Sequence, residues 1–146
     1  MKRRIRYLPI LLIPLFCIFL VFYLHHRSPA QVIPAGTQAQ QLEWLAAQGI
    51  EAQQALTQEI TVPVDFSGNY ADYAALQELQ QLPLRKYAGK SALCATYRIE
   101  NGAQPMYAEL LIADGILIGA QCYDPEGSET LTMQGEPFTA QMMQPK

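Results

Sequence analysis

Three rhythms of hydrophobic and polar residues succeed one another along the chain. The first is an unbroken run: Tyr7 to Leu24 carries no charged side chain, with Lys2, Arg3, Arg4 and Arg6 before it and His25, His26 and Arg27 after it. Eighteen helical residues rise ~27 Å, close to the ~30 Å hydrocarbon core of a bilayer. Tyr7 and Tyr23 mark the two ends, where aromatic rings favour the interface. Pro9 falls in the first turn, where its missing N–H costs little, and Pro14 is a kink of the kind membrane helices tolerate. A cleaved signal peptide needs a shorter apolar core, ~7–15 residues, and a small-x-small site. The nearest such triplet, Ser28-Pro29-Ala30, contains a proline and follows Arg27. The run therefore predicts a transmembrane anchor that stays, with the N-terminus cytoplasmic because four of its five flanking Lys and Arg lie on that side.

The second rhythm has helical spacing. After a Pro- and Gly-containing stretch, Ser28–Thr37, that reads as a linker, Thr37 can cap a helix over Gln38–Gln48 with Leu42, Leu45, Ala46 and the nearby Trp44 on one stripe and Gly49 as its stop. Asp65–Gln81 holds a second helix with Tyr70, Tyr73, Leu76, Leu79 and Gln80 on its face, closed by Pro83. Between them, Ile50–Gln54 reads as extended and Glu59–Val62 as a short edge strand stopped by Pro63.

The third rhythm alternates. In Ser91–Glu100, Leu93, Ala95, Tyr97 and Ile99 point one way and Cys94, Thr96 and Arg98 the other. Asn101-Gly102 signals a turn, Met106–Ala113 a second strand, Asp114-Gly115 a tight hairpin, Ile116–Tyr123 a third strand and Thr130–Met133 a last short one. The prediction is an α+β domain: two helices packed on an antiparallel sheet of three to five strands. Its divisions are a basic stub and anchor over 1–27, a linker over 28–37, the domain over 38–134 and a tail over 135–146.

Charge separates these parts further. From Ser28 onward there are five basic residues against thirteen acidic ones, a net charge of −8, although the whole chain carries only −3. So acidic a body does not suit nucleic acid, which demands clustered Lys and Arg. The only histidines, His25 and His26, sit beside the apolar run, so the body lacks the imidazole that Ser-His-Asp and Cys-His catalysis need. Cys94 and Cys122 alone cannot fill a zinc site. Gly102, Gly115 and Gly119 fall in turns or within a strand and make no phosphate loop. Asp124, Glu126 and Glu129 lack the spacing of a calcium loop and read as a solvated turn. A Cys94–Cys122 disulfide requires their two strands to be direct neighbours, because a strand between them sets them ~10 Å apart; free thiols are the preferred reading. Trp44, Tyr70, Tyr73, Tyr97 and Tyr107 lie on periodic faces and read as core. The sequence thus offers no catalytic, cofactor-binding or metal-ligating residue.

The stretches LEWLAAQGIE, EITVPVDFSGNYADYAALQELQQLPLRKYAGK and LLIADGILIGAQCYD resemble the uncharacterised family called domain of unknown function 4830. Its leader helix, Ile-Pro-type strand, Tyr-containing helix, Tyr-x-Gly-Lys turn and closing hairpin fall on Leu42–Gly49, Ile60–Pro63, Tyr70–Leu79, Tyr87–Lys90 and Ile118–Ala120. The resemblance covers roughly residues 40–125 and departs at Ala120, where a second Gly is usual, and at Leu82-Pro83, where the family has a Gly-containing turn. It implies an N-terminal membrane segment, mainly in Gram-positive bacteria, and no chemistry. The expectation is a single-pass plasma-membrane protein whose extracytoplasmic domain is not an enzyme. It contacts the lipid bilayer through Tyr7–Leu24 and binds an unidentified protein or envelope component, not nucleic acid. A structural or accessory subunit acting through its transmembrane helix, and a small carboxylate-dependent hydrolase, are the competing readings.

Overall fold

The computed structural model describes residues 32–126 and 130–133. The apolar leader and the anchor expected at Tyr7–Leu24 lie outside the described residues, as do Glu129 and the tail. Among the described residues no helix is long and apolar enough to cross a membrane.

The fold is α+β. Helices α1 (Gln38–Ala47) and α2 (Asn69–Leu79) and a 3-10 turn at Leu84–Tyr87 accompany five strands: β1 (Ala52–Thr61), β2 (Ser91–Ile99), β3 (Tyr107–Ala113), β4 (Ile116–Tyr123) and β5 (Thr130–Leu131). The strands form one antiparallel sheet in the order β1-β2-β3-β4-β5, a meander with α2 inserted between its first two strands.

The first helix begins where the sequence says it should. Thr37 accepts from the Gln40 N–H while the Gln40 side chain accepts from the Thr37 N–H, a reciprocal cap that satisfies two otherwise orphaned donors. It stops at Gln48, and Gly49 follows at φ 79°, a conformation glycine adopts without a Cβ clash. Its buried stripe differs from the predicted one: Gln41 and Leu45 are buried and Ala46 is exposed. Gln41 can be buried because both ends of its amide are used, donating to the Ala35 carbonyl at 2.8 Å and accepting from the Tyr97 hydroxyl at 2.6 Å.

Three more expectations are corrected. The two pieces read between Ile50 and Val62 are one strand, β1, ten residues long. It is exposed along most of its length on both faces, so no apolar alternation marks it, and its ladder to β2 holds it. In α2 the buried side chains are Ala74, Leu76 and Gln77, while Tyr70 and Leu79 are exposed. The reason is that α2 sets only Ala74 and Tyr73 against the sheet face and turns Gln77 and Gln80 toward backbone groups of β4. The Asn101-Gly102 signal becomes a longer loop, in which the Asn101 side chain accepts from the Glu51 N–H at 3.1 Å and donates to the Gly49 carbonyl at 2.9 Å, tying the α1–β1 connection to the end of β2.

The alternation predicted for the meander is correct, but both faces are covered. Ala95, Tyr97, Leu110 and Leu117 pack with Leu45 of α1 on one face. Cys94, Leu111, Ala113 and Ile118 pack with Val62, Ala74 and Leu84 on the other. Two-sided burial is why β3 and β4 read as nearly continuous apolar runs. Asp114 and Gly115, at φ 52° and 74°, make the two-residue hairpin that right-twisted strands prefer. Cys94 and Cys122 are free, lying on opposite faces with β3 between their strands.

Candidate functional site

The aromatic residues sort themselves first. Tyr97 is fully buried and Trp44 packs partly buried against the α1-side core. Tyr107 and Tyr123 do something else: they face one another across β3 and β4, half-buried, with ring centroids 5.7 Å apart and planes 25° from parallel.

Strand register builds a polar field around this pair. Arg98 lies beside Tyr107 across β2 and β3, and the guanidinium reaches Glu100 at 2.7 Å and Gln53 of β1 at 3.4 Å. One step further along the strands, Leu56, Thr96, Glu109 and Gln121 form a row across all four long strands. The next row is Gln58, Cys94, Leu111 and Gly119.

Electrostatics in these rows follow from burial. Gln121 donates to the Glu109 carboxylate at 3.1 Å, yet partial burial outweighs that bond and pushes the Glu109 carboxyl above its usual range. Burial, and after it the Glu109 carboxylate, push the Cys94 thiol up to about 12. Burial, then Glu109 and Cys94, hold the Tyr73 phenol well above its ordinary value. The Tyr73 hydroxyl, from α2, is buried and has no hydrogen-bond partner among the described residues. It lies 3.1 Å from where a Cβ on Gly119 would sit, so a side chain at that strand position would have to push the tyrosine back by a few tenths of an ångström. A thiol held near 12 stays protonated at neutral pH and is no nucleophile. What this face offers is an array of fixed donors and acceptors beside two stacked rings.

Of the acidic loop, Asp124 and Glu126 follow β4 directly, and Glu129 lies outside the described residues. No group of three or more His, Cys, Asp and Glu placed to hold a metal occurs among the described residues.

The sheet also has two very different edges. Along β4 the outer backbone groups are covered: Leu117 donates to the Ile33 carbonyl and Ala35 to the Gly115 carbonyl, each at 2.9 Å. Further on, the Ala120 N–H donates to the Gln77 amide oxygen at 2.8 Å, and Gln80 donates to the Ala120 carbonyl at 2.7 Å. Beyond Ala120, β5 pairs with Cys122 and Tyr123. Part of the stretch read as a linker is thus built into the sheet, through Pro34 bridging Ile116. Along β1 no described residue covers the outer edge.

Compared with protein-family models, with curated proteins and with solved structures, the chain matches none of them.

Sequence reasoning missed Glu109, Gln121 and Tyr123 as a group. One signal was available: Glu109 is the only charged residue within MYAELLIA, and a carboxylate inside an apolar strand calls for partners across the sheet. The roles of Gln77 and Gln80 had no such signal, because glutamines are scattered through both helices.

Proposed function

We propose that this chain is a single-pass membrane protein whose extracytoplasmic α+β domain is a non-enzymatic binding module for a protein or envelope component. The apolar length of Tyr7–Leu24 and its flanking basic residues support the anchor and its orientation. The acidic, histidine-free body supports binding rather than acid–base or nucleophilic chemistry. The observation that carries the reading is the Arg98, Tyr107 and Tyr123 cluster: two stacked rings and a guanidinium form a surface of the type that dominates protein contacts, since aromatic and Arg side chains supply most interface hot spots. Glu109 and Gln121, held together at 3.1 Å, supply the directional polar contacts beside it.

A photo-crosslinking residue at Arg98 in the full chain, expressed in its membrane, tests the contact surface. The same residue placed at the exposed Glu43 of α1 is the control. A discrete adduct from position 98, absent from position 43 and lost when Tyr107 and Tyr123 are both replaced by Ala, is the expected result. Equal labelling from both positions sinks the surface assignment. Protease added to intact cells should cut the body and leave the leader, and a body protected until the cells are opened sinks the orientation.

A further inference from the structure

The uncovered edge of β1 lacks most of the devices by which proteins keep edge strands from pairing. Such strands are commonly short, interrupted by proline or studded with lysine. This one runs for ten residues, contains neither proline nor lysine, and carries one charge, Glu59. It has one protective irregularity, a register shift between Gln54 and Leu56. Beyond that shift, Leu56 to Thr61 runs in regular register against β2, about the length of an ordinary strand. Leu56 is 54% exposed, a large apolar side chain with nothing across the edge to cover it.

We propose that this segment pairs antiparallel with the same segment of a second copy of the chain, about a two-fold axis at Gln58, joining two five-stranded sheets into one of ten. The pattern of residues selects both the partner and the register. Leu56, Gln58 and Ile60 share one face of β1: they lie opposite Thr96, Cys94 and Ala92, and Ile60 packs into the α2-side core. An axis at Gln58 sets each Leu56 across from Ile60 of the other copy, an apolar pair on each side of a Gln–Gln pair. On the opposite face it sets Glu59 across from Thr57. An axis one residue later opposes the two Glu59 carboxylates directly, which is unfavourable, and an axis one residue earlier sets Leu56 against Gln58 and runs into the irregularity. A two-fold interface requires this kind of self-complementary patch. Each copy brings a body of net charge −8, so association is opposed at long range and tightens as salt screens that repulsion.

The test uses the full chain in detergent, with Cys17→Ser to remove the leader thiol. Sedimentation equilibrium should show a monomer–dimer equilibrium that shifts toward dimer between about 0.05 and about 0.5 M salt. Leu56→Lys should weaken it by about tenfold or more. Leu79→Lys, an equally exposed position on α2, should leave it unchanged. Mixing Thr57→Cys chains with Glu59→Cys chains under mild oxidation should give a disulfide-linked pair that Thr57→Cys alone does not. A chain that is monomeric at every salt concentration overturns the proposal, as does a dimer indifferent to Leu56→Lys, which would belong to the leader. Thr57→Cys linking to itself as readily as to Glu59→Cys overturns the register.

Discussion

The two edges of this sheet solve the same problem in opposite ways. The outer side of β4 is closed by three separate pieces of chain: residues 33–35 by backbone pairing, the end of α2 through the side-chain amides of Gln77 and Gln80, and β5 by a two-residue ladder. No described residue covers the outer side of β1 along its ten residues. Whether an edge is open or closed is therefore not a property of a strand's own sequence. β4 is apolar and would be hazardous if exposed, and apart from β5 what protects it comes from segments 40 or more residues away. By contrast β1 is mostly polar, with Gln53, Gln54, Thr57, Gln58, Glu59 and Thr61 among its ten residues, and Leu56 is its one large exposed apolar side chain.

The closed edge depends most on Gln77. This side chain is fully buried, and its oxygen takes both the Ala120 N–H and the Gln80 amide. Gln77→Ala leaves a buried donor unmet and a void, and should cost about 2–3 kcal/mol in urea unfolding. Gln80→Ala, which also releases the Met133 N–H, should cost about 1–2 kcal/mol. If both variants unfold like the parent, the closed edge is not held by these amides.

Next in size is Gly115→Ala. At φ 74° an L side chain is strained by about 1–2 kcal/mol, and the same glycine's carbonyl receives the Ala35 N–H that starts the closed edge. Thermal unfolding measures it, and faster amide exchange at Ala35 should accompany the loss.

A smaller effect sharpens the row that runs from Leu56 at the open edge to Gln121 near the closed one. The Glu109 carboxyl is raised in the folded state, so its contribution to stability is complete below the ordinary carboxylate value of about 4.3 and is lost as pH rises through its folded value. At neutral pH the buried carboxylate therefore costs stability. Glu109→Gln should raise the melting temperature at pH 7 and make no difference near pH 4, with the polar bonds preserved by the amide. In the same way the Cys94 and Cys122 thiols, raised from 9.0 to about 12 and about 11, contribute stability below pH ~9 that disappears as pH climbs toward those values. A melting temperature that stays level across that alkaline range contradicts the burial of both thiols.

The smallest effect is expected at the open edge itself. Gln54→Ala, whose amide reaches only the exposed Thr57 hydroxyl, should change stability by less than about 0.5 kcal/mol. A loss larger than Gly115→Ala causes would mean that β1 is covered after all.

Much of the fold was legible because its signals are local. The Thr37 cap, the Gly49 stop, the Asp114-Gly115 hairpin and the alternation in β2 each rest on neighbouring residues. The misread elements share a cause. Helical stripes are inferred by assuming that buried faces are apolar, and both helices bury a glutamine instead: Gln41 to meet Tyr97, and Gln77 to meet Ala120. In the sequence β1 looks like two pieces because an exposed edge strand carries no apolar period. The Glu109 row was invisible because its members come from four strands and meet only through register.

The apolar leader, the acidic body without histidine, the α+β class and the Asp114-Gly115 hairpin are written in the sequence, because they follow from composition and from interactions within a few residues. Only the tertiary structure decided which glutamines are core, that Cys94 and Cys122 face opposite ways, that Glu109 shares a row with Leu56, and which edge of the sheet stays open. Those depend on pairings between distant segments, and hydrogen-bond register, unlike a helical period, leaves no mark on either strand taken alone.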